Sequence, residues 1–168
     1  MVAALPWSDA HPPALHTLHP GDVVCAERGD RLETLLGSCV AIVMSDRART
    51  MAAMCHIVHC QPPLGGDVGP TTAAGAAIDR LYHLIRLRGL NPCLCEAFVF
   101  GGANMFPNIY PRSHVGEGNV RAVLRRLAAD GVRVVGENHG GNAYRRVSWV
   151  IGDDPPAVFI GSVPGVES

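Results

Sequence analysis

Two short apolar segments carry the residue types that could perform covalent chemistry. Residues 35–45 read LLGSCVAIVMS and place Cys39 directly after a Gly-Ser turn, while residues 52–60 read AAMCHIVHC and contain His56. A thiol becomes a strong nucleophile when a neighbouring imidazole or positive charge favours its ionisation. Flexible backbone at the turn could also point N–H groups at a reacting carbonyl. The pattern fits a Cys-His pair for acyl transfer, but two buried side chains are the commoner meaning of such residues, because cysteine is often buried.

A metal site is a further interpretation of the same region. The side chains that could take part are Cys55, His56, His59, Cys60, Cys93 and Cys95. Thiolates and imidazoles are the ligands that zinc prefers in a tetrahedral shell. However, adjacent residues of a strand point to opposite faces, so Cys55 and His56 cannot easily share one ion. The common Cys-x₂-Cys spacing is also missing here.

Composition restricts the class of protein. The chain has 168 residues, of which 48% are apolar and 17% are charged, with a formal net charge of −1. These values indicate one compact domain and give no reason to expect nucleic acid or an anionic membrane as a partner. We find no secretory signal pattern and no apolar run of about 18–20 residues that would span a bilayer. A cytoplasmic protein with reduced cysteines and no membrane insertion is therefore expected.

The elements that must position these residues follow from the hydrophobic pattern. Residues 1–19 lack periodicity and are predicted to form an irregular N-terminal arm, and residues 20–168 a single domain. Strands are predicted at 21–27, 40–44, 51–58, 95–100, 132–135, 146–151 and 157–160. The second and third are joined by a short polar segment, which predicts a hairpin. Such a hairpin brings the ends of its strands together, where Cys39 and His56 could be neighbours, but the sequence does not give the register.

Two segments have the spacing of amphipathic helices. Residues 72–88 place Ile78, Leu81 and Ile85 on one face, and residues 118–129 repeat the spacing. Strands that alternate with helices in this way predict an α/β fold, a layered sandwich with a mixed sheet.

Five motifs, in order along the chain, resemble the chemoreceptor glutamine deamidase family known as CheD. They are LGSCVAIVMSD at 36–46, MCHIV at 54–58, FGGANMF at 100–106, VGEGNV at 115–120 and GENHGGNAYRRVSW at 136–149. The resemblance extends from about residue 20 to residue 160. It implies an α/β sandwich similar to the catalytic domain of cytotoxic necrotising factor toxins. It also implies a cytoplasmic enzyme that converts glutamine side chains of methyl-accepting chemotaxis receptors to glutamate, with release of ammonia and without a cofactor.

The resemblance also assigns roles to residues. The family's nucleophile is the cysteine of Gly-Ser-Cys, here Cys39, and its base is the histidine seventeen positions later, here His56. On this basis Cys39 is expected to react as a thiolate beside an imidazolium of His56. The family's third active-site residue is a threonine six positions before the nucleophile, where this chain has Glu33, with Thr34 next to it. Either a small shift restores the threonine, or Glu33 itself orients His56, as a carboxylate can.

Two alternatives stay open at this level. Where the family follows its histidine with an apolar pair and a proline, this chain reads HIVHCQPP, so His59 and Cys60 keep a metal site possible. The replacement at Glu33 also favours a non-catalytic module that binds the receptors or a chemotaxis phosphatase.

Overall fold

The computed structural model describes residues 12–61 and 69–161, which form nine strands and two α-helices. The strands are β1 (Leu15–Leu18), β2 (Val23–Glu27), β3 (Arg31–Leu36), β4 (Val40–Ser45), β5 (Met51–Ile57), β6 (Glu96–Gly101), β7 (Arg133–His139), β8 (Tyr144–Val150) and β9 (Ala157–Gly161). The helices are α1 (Ala74–Leu87) and α2 (Val115–Ala129). Single 3₁₀ turns lie at Pro70–Thr72 and Pro92–Leu94.

The elements form three layers. A four-stranded sheet in the order β1-β3-β8-β9 lies against a five-stranded sheet in the order β2-β5-β4-β6-β7, and both helices pack on the far side of the five-stranded sheet. Each sheet is mixed, because β1 runs parallel to β3 and β6 runs parallel to β7. The predicted layered α/β class is confirmed, with two mixed sheets in place of one.

The central strand β4 explains why its sequence is continuously apolar. Every residue of β4 is buried, because the strand is flanked by β5 and β6 and is covered on both faces. Ile42 packs into the core beneath the helices, while Val43 packs into the core between the two sheets. The predicted hairpin of β4 and β5 is present and antiparallel.

Both helices present the predicted apolar face to the five-stranded sheet. Their buried side chains include Ile78 and Leu81 of α1 and Val123 of α2. Helix α2 begins three residues earlier than predicted, because the His114 side chain accepts a hydrogen bond from the N–H of Glu117 and caps the first turn. Neither helix is long and apolar enough to cross a membrane.

The prediction of an irregular arm at residues 1–19 is wrong for residues 15–18. Residues 15–18 form β1, pair with β3 and bury Leu18 in the core between the sheets. Strand β3 was not predicted, although Arg31–Leu36 alternates exposed and buried residues as a half-buried strand should. Residues 1–11 of the predicted arm lie outside the described residues.

The end of β6 is shaped around Cys39 by two glycines. Gly101 and Gly102 have φ angles of 109° and 64°, which residues other than glycine rarely adopt. The N–H of Gly102 donates to the carbonyl of Cys39 at 2.8 Å, and a Cβ on Gly101 would collide with that same carbonyl. The sequence therefore needs glycine here to let the backbone approach the cysteine.

We expect Gly101→Ala to destabilise the protein and to disturb Cys39. The left-handed conformation alone costs an alanine about 1–2 kcal/mol, and the collision with the Cys39 carbonyl adds to this. The matched control is Gly75→Ala in α1, where a Cβ meets nothing within 4 Å, so helix propensity should raise stability by up to about 1 kcal/mol. Thermal unfolding of both variants checks this. Equal melting temperatures would contradict the account of the glycine pair.

Candidate active site

Cys39 and His56 lie on the same face of the β4–β5 hairpin. Ala41 is the partner of His56 across the hairpin, and continuing that register places Cys39 opposite Val58. Cys39 and His56 are therefore diagonal neighbours, for which backbone separations of about 7–8 Å are usual and side chains can meet. Both side chains point into the space between the two sheets, where Cys39 packs against the inter-sheet core.

A buried chain of hydrogen bonds fixes the imidazole of His56. The Thr34 hydroxyl donates to the carbonyl of Leu18 at 2.9 Å, and its oxygen lies 2.8 Å from Nδ1 of His56. Since the hydroxyl has one proton and a carbonyl can only accept, Thr34 must accept the hydrogen bond from Nδ1–H. This assigns the proton to Nδ1 and leaves the lone pair on Nε2. Within the described residues, Nε2 is buried without a hydrogen-bond partner.

The structure brings Thr34, and not Glu33, to the histidine. Strand β3 belongs to the four-stranded sheet and turns alternate side chains inward, so Thr34 is buried while Glu33 faces outward. The Glu33 carboxylate accepts a hydrogen bond from the Thr17 hydroxyl at 3.2 Å. The prediction that Glu33 could orient His56 is wrong for this reason.

Burial favours the neutral forms of both side chains. It raises the pKa of the Cys39 thiol above its ordinary value. It also lowers the pKa of His56, and the carbonyl of Leu18 opposes this only in part. The expected thiolate–imidazolium pair is therefore not the resting state that this environment favours. A neutral thiol and a neutral imidazole fit it better.

All three carbonyls of the turn that carries Cys39, those of residues 37–39, accept hydrogen bonds. The carbonyl of Gly37 accepts from the N–H of Ala103 at 2.9 Å, and that of Cys39 accepts from Gly102. The carbonyl of Ser38 accepts from the side-chain amide of Asn119 at 3.3 Å. In the described part of the chain, by contrast, the N–H groups of Ser38 and Cys39 donate to no acceptor. Two donors beside a nucleophile are what an oxyanion requires.

An open cleft of about 540 Å³ leads to the cysteine. It is lined by Gly37, Ser38, Cys39, Val58, His59, Ala103, Asn104, Met105, Phe106, Tyr110, His114, Val115, Gly116 and Tyr144. Phe106, Tyr110 and Val115 are more than half exposed at its rim. His56 is buried and does not line the cleft, so a substrate would meet the thiol first.

Comparison with known proteins identifies the family. A sequence profile described as CheD chemotactic sensory transduction matches residues 66–153. The chemoreceptor glutamine deamidase CheD of Thermotoga maritima is 34% identical over 69% of this chain and 72% of its own length. A protein of Methanococcus vannielii named probable chemoreceptor glutamine deamidase CheD is 32% identical over 76% of this chain and 82% of its own length.

The chain belongs to the CheD family.

Among solved structures, a hypothetical protein of Bacillus licheniformis, YfiH, is similar with a TM-score of 0.46 and 14% identity, over 78% of this chain and 61% of its own. The expected similarity to the catalytic domain of cytotoxic necrotising factor toxins stays a prediction.

The candidate metal ligands of this CheD-family chain are dispersed. Cys55 is buried on the helix-facing side of β5, opposite to His56, as strand alternation predicts. His59 lies in the cleft, whereas Cys60 is exposed. Cys93 donates to the carbonyl of Asp130 at 3.2 Å, on the side of the helices. Among the described residues, no three His, Cys, Asp or Glu side chains are grouped to hold a metal.

Several groups of the site were missed by reasoning from sequence. The carbonyl of Leu18, the glycine pair after β6 and the amide of Asn119 all contact the Cys39–His56 region. The last two lie within the quoted CheD motifs FGGANMF and VGEGNV, which was the available signal. Spacing alone could not assign them, because their contacts cross between layers of the fold.

The pH dependence of Cys39 reactivity tests the neutral resting pair. Because burial raises the thiol pKa, the thiolate fraction near neutral pH is smaller than that of a free cysteine. Alkylation of Cys39 by iodoacetamide, followed by peptide mass spectrometry, should rise with pH to beyond the ordinary thiol pKa of 9.0. Exposed Cys60 gives an internal comparison in the same digest. A plateau of high reactivity below about pH 7, the mark of a preformed ion pair, would contradict the assignment.

Proposed function

We propose that this protein hydrolyses the side-chain amide of selected glutamines on methyl-accepting chemotaxis receptors, giving glutamate and ammonia. The observation that carries the proposal is the buried imidazole of His56. Thr34 holds its Nδ1, and its Nε2, which has no partner among the described residues, lies on the face that also carries Cys39. Relatives named chemoreceptor glutamine deamidases support the choice of substrate.

In the first half of the reaction, the Cys39 sulfur attacks the carbon of the glutamine carboxamide. Nε2 of His56 takes the thiol proton as the carbon–sulfur bond forms. The negative charge that develops on the amide oxygen is stabilised by the unused N–H groups of Ser38 and Cys39. The imidazolium then gives its proton to the leaving nitrogen, the carbon–nitrogen bond breaks, and ammonia departs from a thioester.

In the second half, water replaces ammonia. Neutral His56 removes a proton from the water as it attacks the thioester carbonyl, and the same N–H groups again face the oxyanion. The carbon–sulfur bond breaks, the thiol recovers its proton and the glutamyl carboxylic acid is released. Every group used belongs to this chain, to the substrate or to water.

The low polarity of the site suits this reaction. A neutral pair has to separate charge only when the substrate is in place, since its ionised form is disfavoured by burial. The apolar rim formed by Phe106 and Tyr110 can cover the aliphatic part of a glutamine side chain. The cleft is open enough for a glutamine that projects from the surface of a helix.

The alternative of a non-catalytic module loses its main support. That idea depended on Glu33 replacing the threonine, and Thr34 forms the contact with His56 that the threonine was expected to make. A chemotaxis phosphatase as partner is left as a proposal without a specific contact surface.

Mass spectrometry of a receptor cytoplasmic fragment tests the proposed reaction. The fragment should gain the mass of one deamidation at specific glutamines when incubated with the protein, and Cys39→Ala should abolish the gain. Cys60→Ala is the matched control, because Cys60 is exposed and does not line the cleft. Modification that persists with Cys39→Ala would disprove the role of the nucleophile. No modification of any receptor fragment by the unmutated protein would disprove the function.

Variants of Thr34 and of its neighbour Glu33 test which residue orients His56. Thr34→Val keeps the shape but leaves Nδ1–H of His56 unpaired, so we expect kcat to fall by about 100-fold, within the range that a positioned general base contributes. Thr34→Ser should keep most of the activity, since it retains the hydroxyl. Glu33→Gln should act like the unmutated protein, because Glu33 faces outward and contacts Thr17. A loss with Glu33→Gln equal to that with Thr34→Val would refute the assignment.

A further inference from the structure

Asn119 is a fully buried polar side chain that the reaction above does not use. It lies in the second turn of α2 and has no exposed surface. Its Nδ2 donates to the carbonyl of Val58 at 2.9 Å and to the carbonyl of Ser38 at 3.3 Å. Because both partners can only accept, the orientation of the amide is determined by its contacts.

The two carbonyls belong to the two halves of the candidate active site. Ser38 directly precedes Cys39, and Val58 follows His56 by two residues, directly after the end of β5. A single NH₂ group therefore ties the turn that carries the nucleophile to the strand that carries the base. The side chain that does so comes from a helix on the outer layer, which packs against both.

The contact with Ser38 also determines where the N–H of Cys39 points. In a trans peptide the C=O and the following N–H point in opposite directions, and no cis peptide occurs in the described residues. With the carbonyl of Ser38 directed at Asn119, the N–H of Cys39 is directed away from α2. This N–H has no acceptor among the described residues, and Cys39 lines the cleft.

The other atom of the amide argues against a role in stability alone. Oδ1 of Asn119 is buried and has no hydrogen-bond partner among the described residues. A buried oxygen without a partner costs free energy, and this cost offsets part of what the two donated hydrogen bonds contribute to stability. The amide thus pairs two backbone carbonyls, while its own oxygen has no partner among the described residues.

We propose that Asn119 is a positioning residue that orients the Ser38–Cys39 peptide, so that the N–H of Cys39 can stabilise an oxyanion. The inference rests on the proposed function for its reaction, but its geometry applies to any acyl substrate that Cys39 attacks.

Two small probes separate this role from a general loss of structure. With p-nitrophenyl acetate, the sulfur of Cys39 bonds to the acyl carbon, the thiol proton passes to His56, and nitrophenolate leaves through an oxyanion intermediate. With iodoacetamide, the sulfur displaces iodide from a CH₂ carbon and no oxyanion forms. Only the first reaction needs the N–H of Cys39.

We expect Asn119→Leu to slow acylation by about 100-fold, as the loss of an oxyanion donor does, while alkylation of Cys39 is unchanged. If Asn119→Leu does not fold, Asn119→Ser gives the same contrast, because serine is too short to reach both carbonyls. Val123→Ala, in the same helix, is the matched control: it removes buried apolar contacts without touching the turn. It should lower the melting temperature and leave both rates unchanged.

Each outcome decides a separate point. If Asn119→Leu lowers the rates of acylation and alkylation in parallel, or changes neither rate, the role of Asn119 is overturned. Failure of p-nitrophenyl acetate to acylate the unmutated protein would overturn it as well. If the acylation contrast holds but no receptor fragment is deamidated, the proposed function fails and the role of Asn119 stands. If receptors are deamidated and the contrast is missing, only the role of Asn119 fails.

Discussion

The hydrogen bond between Thr34 and Nδ1 of His56 joins the two sheets at the candidate active site. Thr34 comes from the four-stranded sheet and His56 from the five-stranded sheet, so the bond forms only if the sheets are stacked in one register. The carbonyl of Leu18 completes the chain from β1, which is parallel to β3. A polar chain in an apolar layer is stable when each group in it is paired. Among the described residues, Nε2 of His56 is the atom of this polar chain that has no hydrogen-bond partner.

Cys39 lies where the chain crosses from one layer to the other. Strand β3 ends at Leu36 and β4 begins at Val40, and the two strands belong to different sheets. Only three residues make the crossing, and their carbonyls take hydrogen-bond partners from other elements of the fold. Backbone N–H groups after β6 and one side-chain amide from α2 provide them. The unused N–H groups beside the cysteine are thus a result of the topology.

Part of this site could be predicted from sequence and part could not. The hairpin that brings Cys39 and His56 together is a local feature, because a short polar segment joins two apolar runs. The choice between Glu33 and Thr34 depends on which face of β3 is inward. That strand was not predicted, since its alternation was hidden beside the apolar run that follows. The contact of Asn119 with Ser38 spans 81 positions of sequence and depends on how α2 packs.

The shift from Glu33 to Thr34 has a structural consequence in the turn itself. Strand alternation allows only Leu32, Thr34 and Leu36 to face inward, so a threonine can reach His56 from position 34 but not from position 33. Compared with the family spacing, one residue fewer then separates the threonine from the cysteine. Gly37 lies in this crossing, and a Cβ there would lie 3.1 Å from the side chain of Met105. A side chain at this point would require a small shift of the Met105 side chain, which lines the cleft. The inward face of β3 thus determines which of the two adjacent residues meets His56, and Thr34 is the one that the strand turns toward it.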